Sequence, residues 1–300
     1  MKKTIIIIIL ILTNCFSLGY IVLKNKASDF QPLSELRYPV VGTYIKKSAQ
    51  GMAIYGDNAY LFNDGGHCRV YNLITEEVIK EFDLASAGDK THVNAACFGN
   101  EIINDNTIPV IYISEYKRPS RCFVENITEE KSILVQTIQA KENNNNMFIQ
   151  SWIVDTMNEN LYAIVRQTPP EGEENSDLIR IMKYRLPKLN EGDMIFLTEK
   201  DILDEFFVNF ASGTQGGIIN GKYMLLPTGL NEGARGAFNA KRVLKIIDLE
   251  KKNICNQIDL TYVTTNEPED VDFYKDKLLL YCGQQGGIYN ISNLLKNIER

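Results

Sequence analysis

The chain has 300 residues, of which 44% are hydrophobic and 23% are charged, and its formal net charge is −6. This hydrophobic content is ordinary for a globular protein and is enough for a sizeable core. The length fits one large closed all-β domain or two average domains. The acidic balance and the scattered basic residues argue against a nucleic-acid partner, because such a partner requires a clustered basic surface.

The first 23 residues have the pattern of an export signal or a membrane anchor. Two lysines precede Ile5–Leu12, a run of isoleucine and leucine, and positive charge followed by an apolar stretch is the order of a signal peptide. Three outcomes stay open: cleavage before Tyr20, lipidation of Cys15, or an uncleaved anchor formed by Ile5–Leu23. Each outcome places the remainder outside the cytoplasm, in the periplasm or at the cell surface. Residues 24–38 are then a polar tether, and membrane contact is confined to the N-terminal segment.

A short phrase recurs five times along the rest of the chain. Each copy begins with an amide or carboxylate side chain, and a mostly apolar run follows; the first residues are Gln50, Asn94, Gln150, Gln215 and Glu269. The copies are spaced roughly 44 to 65 residues apart, which is typical of repeated supersecondary units in a closed array. We therefore predict an all-β fold, a five-bladed β-propeller over residues 39–300.

The first unit shows four strand-like runs within about 40 residues, the repeat of a propeller blade. We predict its strands at Gln50–Tyr55, Asn58–Phe62, Cys68–Leu73 and Val78–Leu84. The other units follow this pattern, except that Ile202–Phe207 in the third unit fits either a strand or a short helix. The fifth unit is one strand short. We expect Pro39–Lys46 to supply this strand, because ring closure removes two exposed sheet edges.

Loop length points to one face of the ring as the binding face. The loops Glu115–Arg121, Gln167–Leu178 and Pro227–Arg242 are long, and they open on the face where each inner strand begins. Long loops on a rigid scaffold commonly carry binding groups. We expect the five phrase-initial residues to line the channel there. Around them we expect His67, His92, Glu115, Tyr116, Lys117, Arg121, Arg166, Asn231, Glu232, Arg235, Gln284 and Gln285.

These side chains leave several roles open. Amide, carboxylate and guanidinium groups with an occasional aromatic ring suit a hydroxyl-rich ligand such as a glycan or a polyol phosphate. The buried amides could equally serve only to hydrogen-bond neighbouring blades. No cofactor is predicted, although carbonyl oxygens with one carboxylate could hold a hard cation such as calcium.

The sequence contains no established catalytic motif. Its two histidines form no zinc-binding pattern, and no nucleophile-elbow motif is present. Paired carboxylates across the mouth, Glu269 and Asp270 against Glu115 or Glu232, keep a hydrolase or lyase open. The cysteines after residue 23 show no metal-binding spacing, and we predict that they are buried free thiols, with a disulfide between one pair left open. They are Cys68, Cys97, Cys122, Cys255 and Cys282.

Several phrases in residues 214–291 resemble a family of extracytoplasmic five-bladed propellers. They are Gln215–Ile219, Asn220–Tyr223, Ile246–Leu249 and Glu267–Asp270. The family includes the propeller domains of phage receptor-binding proteins and of teichoic-acid biosynthesis protein C, and uncharacterised exported propellers of the Bacteroidetes type are similar. Asp270 stands where the family has glycine. The resemblance implies a fold that binds a cell-surface glycopolymer.

We therefore expect an exported or membrane-tethered propeller that binds a carbohydrate or another surface ligand at its channel mouth. A glycan- or phosphoester-cleaving enzyme is the first alternative. The second is an interaction scaffold that binds an envelope protein through the same face.

Overall fold

The computed structural model describes residues 35–39, 49–88, 91–104, 106–143, 145–166, 178–209, 213–230, 241–283 and 287–295. The predicted signal or anchor, most of the predicted tether, and residues 40–48 lie outside these ranges. The described residues form five small antiparallel sheets arranged in a ring. The prediction of an all-β five-bladed propeller is confirmed.

The strands follow the chain blade by blade. The N-terminal strand is β1 (Glu35–Pro39), and the first blade contains β2 (Ala49–Tyr55), β3 (Asn58–Asn63), β4 (His67–Asn72) and β5 (Glu77–Asp83). The second blade contains β6 (Val93–Phe98), β7 (Ile111–Glu115), β8 (Cys122–Ile127), β9 (Ser132–Glu142) and β10 (Asn145–Asn146). The third contains β11 (Ser151–Asp155), β12 (Asn160–Arg166), β13 (Leu178–Arg185) and β15 (Ile202–Asn209), with β14 (Met194–Leu197) in the connection.

The last two blades complete the ring. The fourth contains β16 (Ile218–Asn220), β17 (Tyr223–Thr228), β18 (Val243–Asp248) and β19 (Asn253–Asp259). The fifth contains β20 (Pro268–Tyr274), β21 (Lys277–Cys282) and β22 (Gly287–Asn290), and the short helix α1 (Ser292–Leu295) follows it.

An N-terminal strand closes the fifth blade, as predicted, but it lies upstream of the expected position. β1 pairs antiparallel with β22, with Glu35 opposite Asn290 and Pro39 opposite Gly287. The predicted strand was Pro39–Lys46, so the closing strand instead occupies the end of the predicted tether. Apolar residues occur in both segments, and hydrophobic pattern alone did not choose between them.

The hydrophobic core is divided among the blade interfaces. Each pair of neighbouring blades encloses one buried apolar cluster. The cluster between the first and fifth blades, which includes Met52, Tyr71, Leu279 and Tyr281, joins the two ends of the array. Inner strands are buried on both faces for this reason, whereas the outermost strand β5 alternates exposed and half-buried positions. The apolar runs of the inner strands thus reflect their position between two blades.

The structure decides one open alternative and corrects two local expectations. Residues 202–209 form strand β15 and not a helix, because they pair along β13 as the outermost strand of the third blade. We expected the inner strand of the fourth blade at Gln215–Ile219, but the strand is limited to β16, and the backbone before it forms an isolated bridge between Thr214 and Thr228. Cys255 is exposed on the outermost strand β19 and Cys97 is half-buried, whereas Cys68, Cys122 and Cys282 are buried as predicted. All five described cysteines are free.

The connection after the third blade adds one strand that the sequence did not suggest. β14 pairs in parallel with β9, the long outer strand of the second blade. β14 therefore widens the second blade at its outer edge, away from the inner strands that surround the axis. The candidate binding site lies at those inner strands.

Candidate functional site

The carboxylate of Asp270 lies across the axis of the ring and joins three blades. Its Oδ2 atom accepts hydrogen bonds from the backbone N–H of Met52 at 2.9 Å and of Ala96 at 3.2 Å. Its Oδ1 atom accepts from the N–H of Val271 at 2.9 Å. Burial raises the pKa of Asp270 well above its usual value, and the hydrogen bonds from Met52 and Ala96 oppose that effect.

The fourth blade also closes on this carboxylate. A Cβ atom at Gly216 would overlap the side chain of Asp270, so only glycine fits there. The N–H of Gly216 donates to the carbonyl oxygen of Glu269 at 2.6 Å. The channel is therefore filled at the level of Asp270, and any ligand must approach the mouth above it.

Three inner strands are irregular where the recurring phrase begins. The register shifts between Ala49 and Met52, between Val93 and Ala95, and between Pro268 and Asp270. The residues inside these shifts include Gln50, Asn94 and Glu269, which were predicted to line the channel. A β-bulge turns a side chain away from the normal alternation of a strand. The shared bulge explains why polar residues begin otherwise apolar strands.

The predicted ring residues are buried and partly connect neighbouring blades. Gln50, Asn94, Gln150 and Glu269 are at most 5% exposed, and Gln215 is half-buried. Asn94 Nδ2 donates to the carbonyl oxygen of Gln150 at 2.9 Å, which links the second and third blades. Gln215 Nε2 donates to a carboxylate oxygen of Glu267, which links the fourth and fifth blades. Asn94 and Gln215 therefore hydrogen-bond neighbouring blades, which is the structural role that the sequence left open for these amides.

A cavity of about 260 Å³ lies at the mouth, and we call it the mouth cavity. Its walls come from segments that precede an inner strand or follow the second strand of a blade, as the loop lengths predicted. The lining residues are Gln50, His92, Tyr116, Gly213, Thr214, Gln215, Gly229, Leu230 and Glu267. Gln50, His92, Tyr116 and Gln215 were predicted, whereas Thr214 and Glu267 were missed, although both stand within two residues of phrase-initial positions.

The base of this site is acidic. Burial raises the pKa of Glu267, and the hydrogen bond from Gln215 partly offsets that rise. Burial also raises the pKa of Glu269 well above its usual value, and the nearby carboxylate of Glu267 raises it further. Two carboxyl groups are thus held in a region of low polarity close to each other.

An aromatic wall stands on the side of the second blade. The ring centroids of His92 and Tyr116 lie 5.6 Å apart, and those of Tyr116 and Phe148 lie 5.2 Å apart in an edge-to-face arrangement. The N–H of Tyr116 donates to the carbonyl oxygen of His92 at 2.9 Å. The guanidinium of Arg118 lies 5.2 Å from the centroid of Phe148. These contacts pack the Tyr116 ring against His92 and Phe148, and Tyr116 contributes to the cavity wall.

The other predicted site residues that the structure describes do not line the mouth cavity. His67 lies in a separate cavity of about 420 Å³, where its Nδ1 atom is 2.8 Å from Asp83. Glu115 is buried and accepts two hydrogen bonds from Arg121, at 2.8 and 3.0 Å. Arg166 is half-buried at the end of β12. Lys117 Nζ lies 3.5 Å from the carbonyl oxygen of Thr91. The remaining predicted residues, Asn231, Glu232, Arg235, Gln284 and Gln285, lie outside the described residues.

A catalytic role of Glu269 receives no support from its position. Its side chain is 0% exposed, and it does not line the mouth cavity. A Cβ atom at Gly283 would overlap this carboxylate, so the side chain packs directly against the backbone there. A carboxylate that cleaves a glycosidic bond must reach the substrate. Among the described residues, no three or more histidine, cysteine, aspartate or glutamate side chains form a group that could hold a metal ion.

The described residues thus define a five-bladed β-propeller with an acidic, amide-lined cavity at one end of its axis. No protein-family model and no curated protein matches the chain. Among solved structures, Raptor from Chaetomium thermophilum is similar at 11% identity with a TM-score of 0.38. That match covers 79% of this chain and 20% of the Raptor chain. None of the helices in the described ranges is long and apolar enough to cross a membrane.

Proposed function

We propose that this protein is an exported or membrane-tethered propeller that binds a carbohydrate or a similar hydroxyl-rich surface ligand in the mouth cavity. The observation that carries the proposal is the composition of that cavity. Gln50, Thr214, Gln215 and Glu267 offer polar groups from three blades, and Tyr116 adds an aromatic side chain. Sugar rings present hydroxyl groups at their edges and apolar C–H groups on their faces, and both parts of the cavity match them.

The size of the cavity favours a small ligand. Its volume of about 260 Å³ is below the range of roughly 300–1,000 Å³ that drug-sized ligands occupy. We therefore propose that it takes a single sugar unit or the end of a surface polymer. The N-terminal run Ile5–Leu12 behind two lysines supports an extracytoplasmic location, where such polymers occur.

Calorimetric titration with monosaccharides and a glycan array test the proposal. Gln215→Ala removes an amide that is hydrogen-bonded to Glu267, and Tyr116→Ala removes the aromatic face; we expect each variant to lower the affinity by about tenfold or more. Gln257→Ala is the matched control, because Gln257 is exposed on β19, the outermost strand of the blade that carries Gln215. Equal affinities in the wild type and both mouth variants would refute the assignment to this cavity.

A further inference from the structure

The N-terminal strand enters the ring on the side opposite the mouth. Inner strands begin at the mouth, and successive strands of a blade are antiparallel. β22, the third strand of the fifth blade, therefore runs from the mouth to the opposite side, which we call the far face. β1 is antiparallel to β22, with Glu35 opposite Asn290 at the end of β22. The chain that precedes Glu35 thus joins the propeller at the far face.

The predicted anchor lies a short distance upstream of this point. Ile5–Leu23 is the segment that the sequence predicts as a signal peptide or an anchor, and residues 24–34 separate it from β1. Even a fully extended chain of this length reaches no more than about 40 Å. An uncleaved anchor therefore keeps the far face within that distance of the bilayer surface.

Large apolar side chains are exposed where the strands of the first three blades turn at the far face. They are Tyr55, Ile74, Ile102 and Met157, at 37%, 61%, 55% and 79% exposure. The turns that carry Ile102 and Met157 are joined, because Asn100 Nδ2 donates to the carbonyl oxygen of Thr156 at 2.7 Å. Among the described residues, Tyr262 is the only large apolar side chain exposed in a connection on the mouth side. Single exposed apolar residues are common, but several on one face mark an interaction surface.

The far face also carries lysines, and three of them form ion pairs with carboxylates. These pairs are Lys222 with Asp248 at 3.6 Å, Lys252 with Asp204 at 2.7 Å and Lys275 with Asp57 at 3.1 Å. Charges that are already paired attract a partner of one sign only weakly. The exposed apolar side chains therefore offer the main contact, and a bilayer next to the chain upstream of β1 is the partner that suits them.

We propose that the far face rests on a lipid bilayer, with Ile74, Ile102 and Met157 inserted among the headgroups and the mouth directed away from the membrane. The apolar face of an interfacial helix enters the boundary between headgroups and acyl chains by about 5–10 Å, and exposed turns can do the same. A short tether raises the effective concentration of the far face at the bilayer, so that a weak contact persists. This inference rests on the membrane-tethered form of the proposed function, and it leaves the mouth cavity open to a ligand from outside.

Fluorescence quenching in vesicles tests the contact. The full chain is reconstituted into phosphatidylcholine vesicles that contain brominated lipid, and Met157→Trp is compared with Tyr262→Trp, its matched control on the mouth side. Trp152 is buried and contributes the same background to both variants. We expect brominated lipid to quench the added tryptophan at least about twofold more strongly in Met157→Trp than in Tyr262→Trp. Equal quenching in the two variants would overturn the proposal.

A second set of variants separates insertion from tethering. Ile74→Ser and Ile102→Ser, each combined with Met157→Trp, should lower the quenching because they remove apolar contact with the lipid. Ile79→Ser is the control, since Ile79 is 54% exposed at the middle of β5, between the two faces. Unchanged quenching in both serine variants would also overturn the proposal.

Flotation of the same vesicles reports tethering by itself. A chain that floats with the vesicles but shows no quenching in Met157→Trp overturns this inference alone. A chain that does not float overturns the tethered form of the proposed function as well, whereas sugar titration at the mouth remains a separate measurement. Cross-links between two copies through the far face, without quenching, would assign this face to a second copy and overturn the lipid contact.

Discussion

Replacing Asp270 with alanine removes the carboxylate that joins three blades at the axis. The backbone N–H groups of Met52, Ala96 and Val271 then lose their acceptor inside the core. Each buried unsatisfied N–H costs about 1–3 kcal/mol. The bond from Ala96 is the longest of the three, at 3.2 Å, and removal of a buried carboxyl also relieves its desolvation. We therefore expect the free energy of unfolding to fall by about 3 kcal/mol, a large part of the roughly 5–15 kcal/mol that stabilises a domain.

Asparagine at the same position distinguishes the bonds between blades, from Met52 and Ala96, from the local bond of Val271. Its side-chain oxygen can take the place of Oδ2 and keep the bonds from Met52 and Ala96, whereas its amide group faces the N–H of Val271. We expect Asp270→Asn to cost about 1 kcal/mol. Urea denaturation followed by the fluorescence of Trp152, the single tryptophan, measures both variants. A loss below about 1 kcal/mol for the alanine variant, or equal losses for both, would refute the inter-blade role of this carboxylate.

Three further predictions concern the same core. Gly216→Ala should cost about 3 kcal/mol because its Cβ overlaps Asp270, and much less in an Asp270→Ala background; additive losses in a double-mutant cycle would contradict the contact. Burial raises the pKa of Asp272 to about 7, so its contribution to stability is complete below the unfolded pKa of about 4 and is lost as pH rises through 7. Between pH 5 and 8 the wild type should lose about 2 kcal/mol that Asp272→Asn keeps in urea titrations, and parallel pH profiles would argue against this. Trp152→Phe removes the hydrogen bond from Nε1 to the carbonyl oxygen of Ser120 at 3.1 Å, and we expect it to lower the free energy of unfolding by about 1–2 kcal/mol. Thermal unfolding followed by circular dichroism measures the loss, and an unchanged Tm would exclude that bond as a stabilising contact.

The blade architecture was largely readable from sequence because each blade is built from contacts between neighbouring strands. Short turns join runs of apolar residues, and the predicted strand Cys68–Leu73 differs from the observed β4 by one residue at each end. The absence of a fourth strand in the last unit also predicted closure by the N-terminus. The location of that strand was not predictable in the same way, because its pairing with β22 spans almost the whole chain.

The candidate site was predicted only in part, because the sequence does not show which polar side chains bond to one another. Gln50, His92 and Gln215 meet in one cavity because the ring brings the starts of inner strands together. Glu115, by contrast, is engaged by Arg121, and His67 lies beside Asp83 in another cavity. Whether a polar residue faces a ligand or a neighbouring charge depends on distances of a few ångströms, which strand periodicity does not contain.

The sequence by itself determined the number of blades, the closure of the ring and the face on which polar groups collect. These properties follow from local hydrophobic pattern, repeat spacing and loop length, which act within one blade at a time. Only the tertiary structure decided that the channel is closed by Asp270 and that Glu269 is sealed beneath the mouth. Those outcomes depend on which backbone amides and glycines lie opposite a carboxylate across the axis, and the facing atoms come from residues more than a hundred positions apart in the chain.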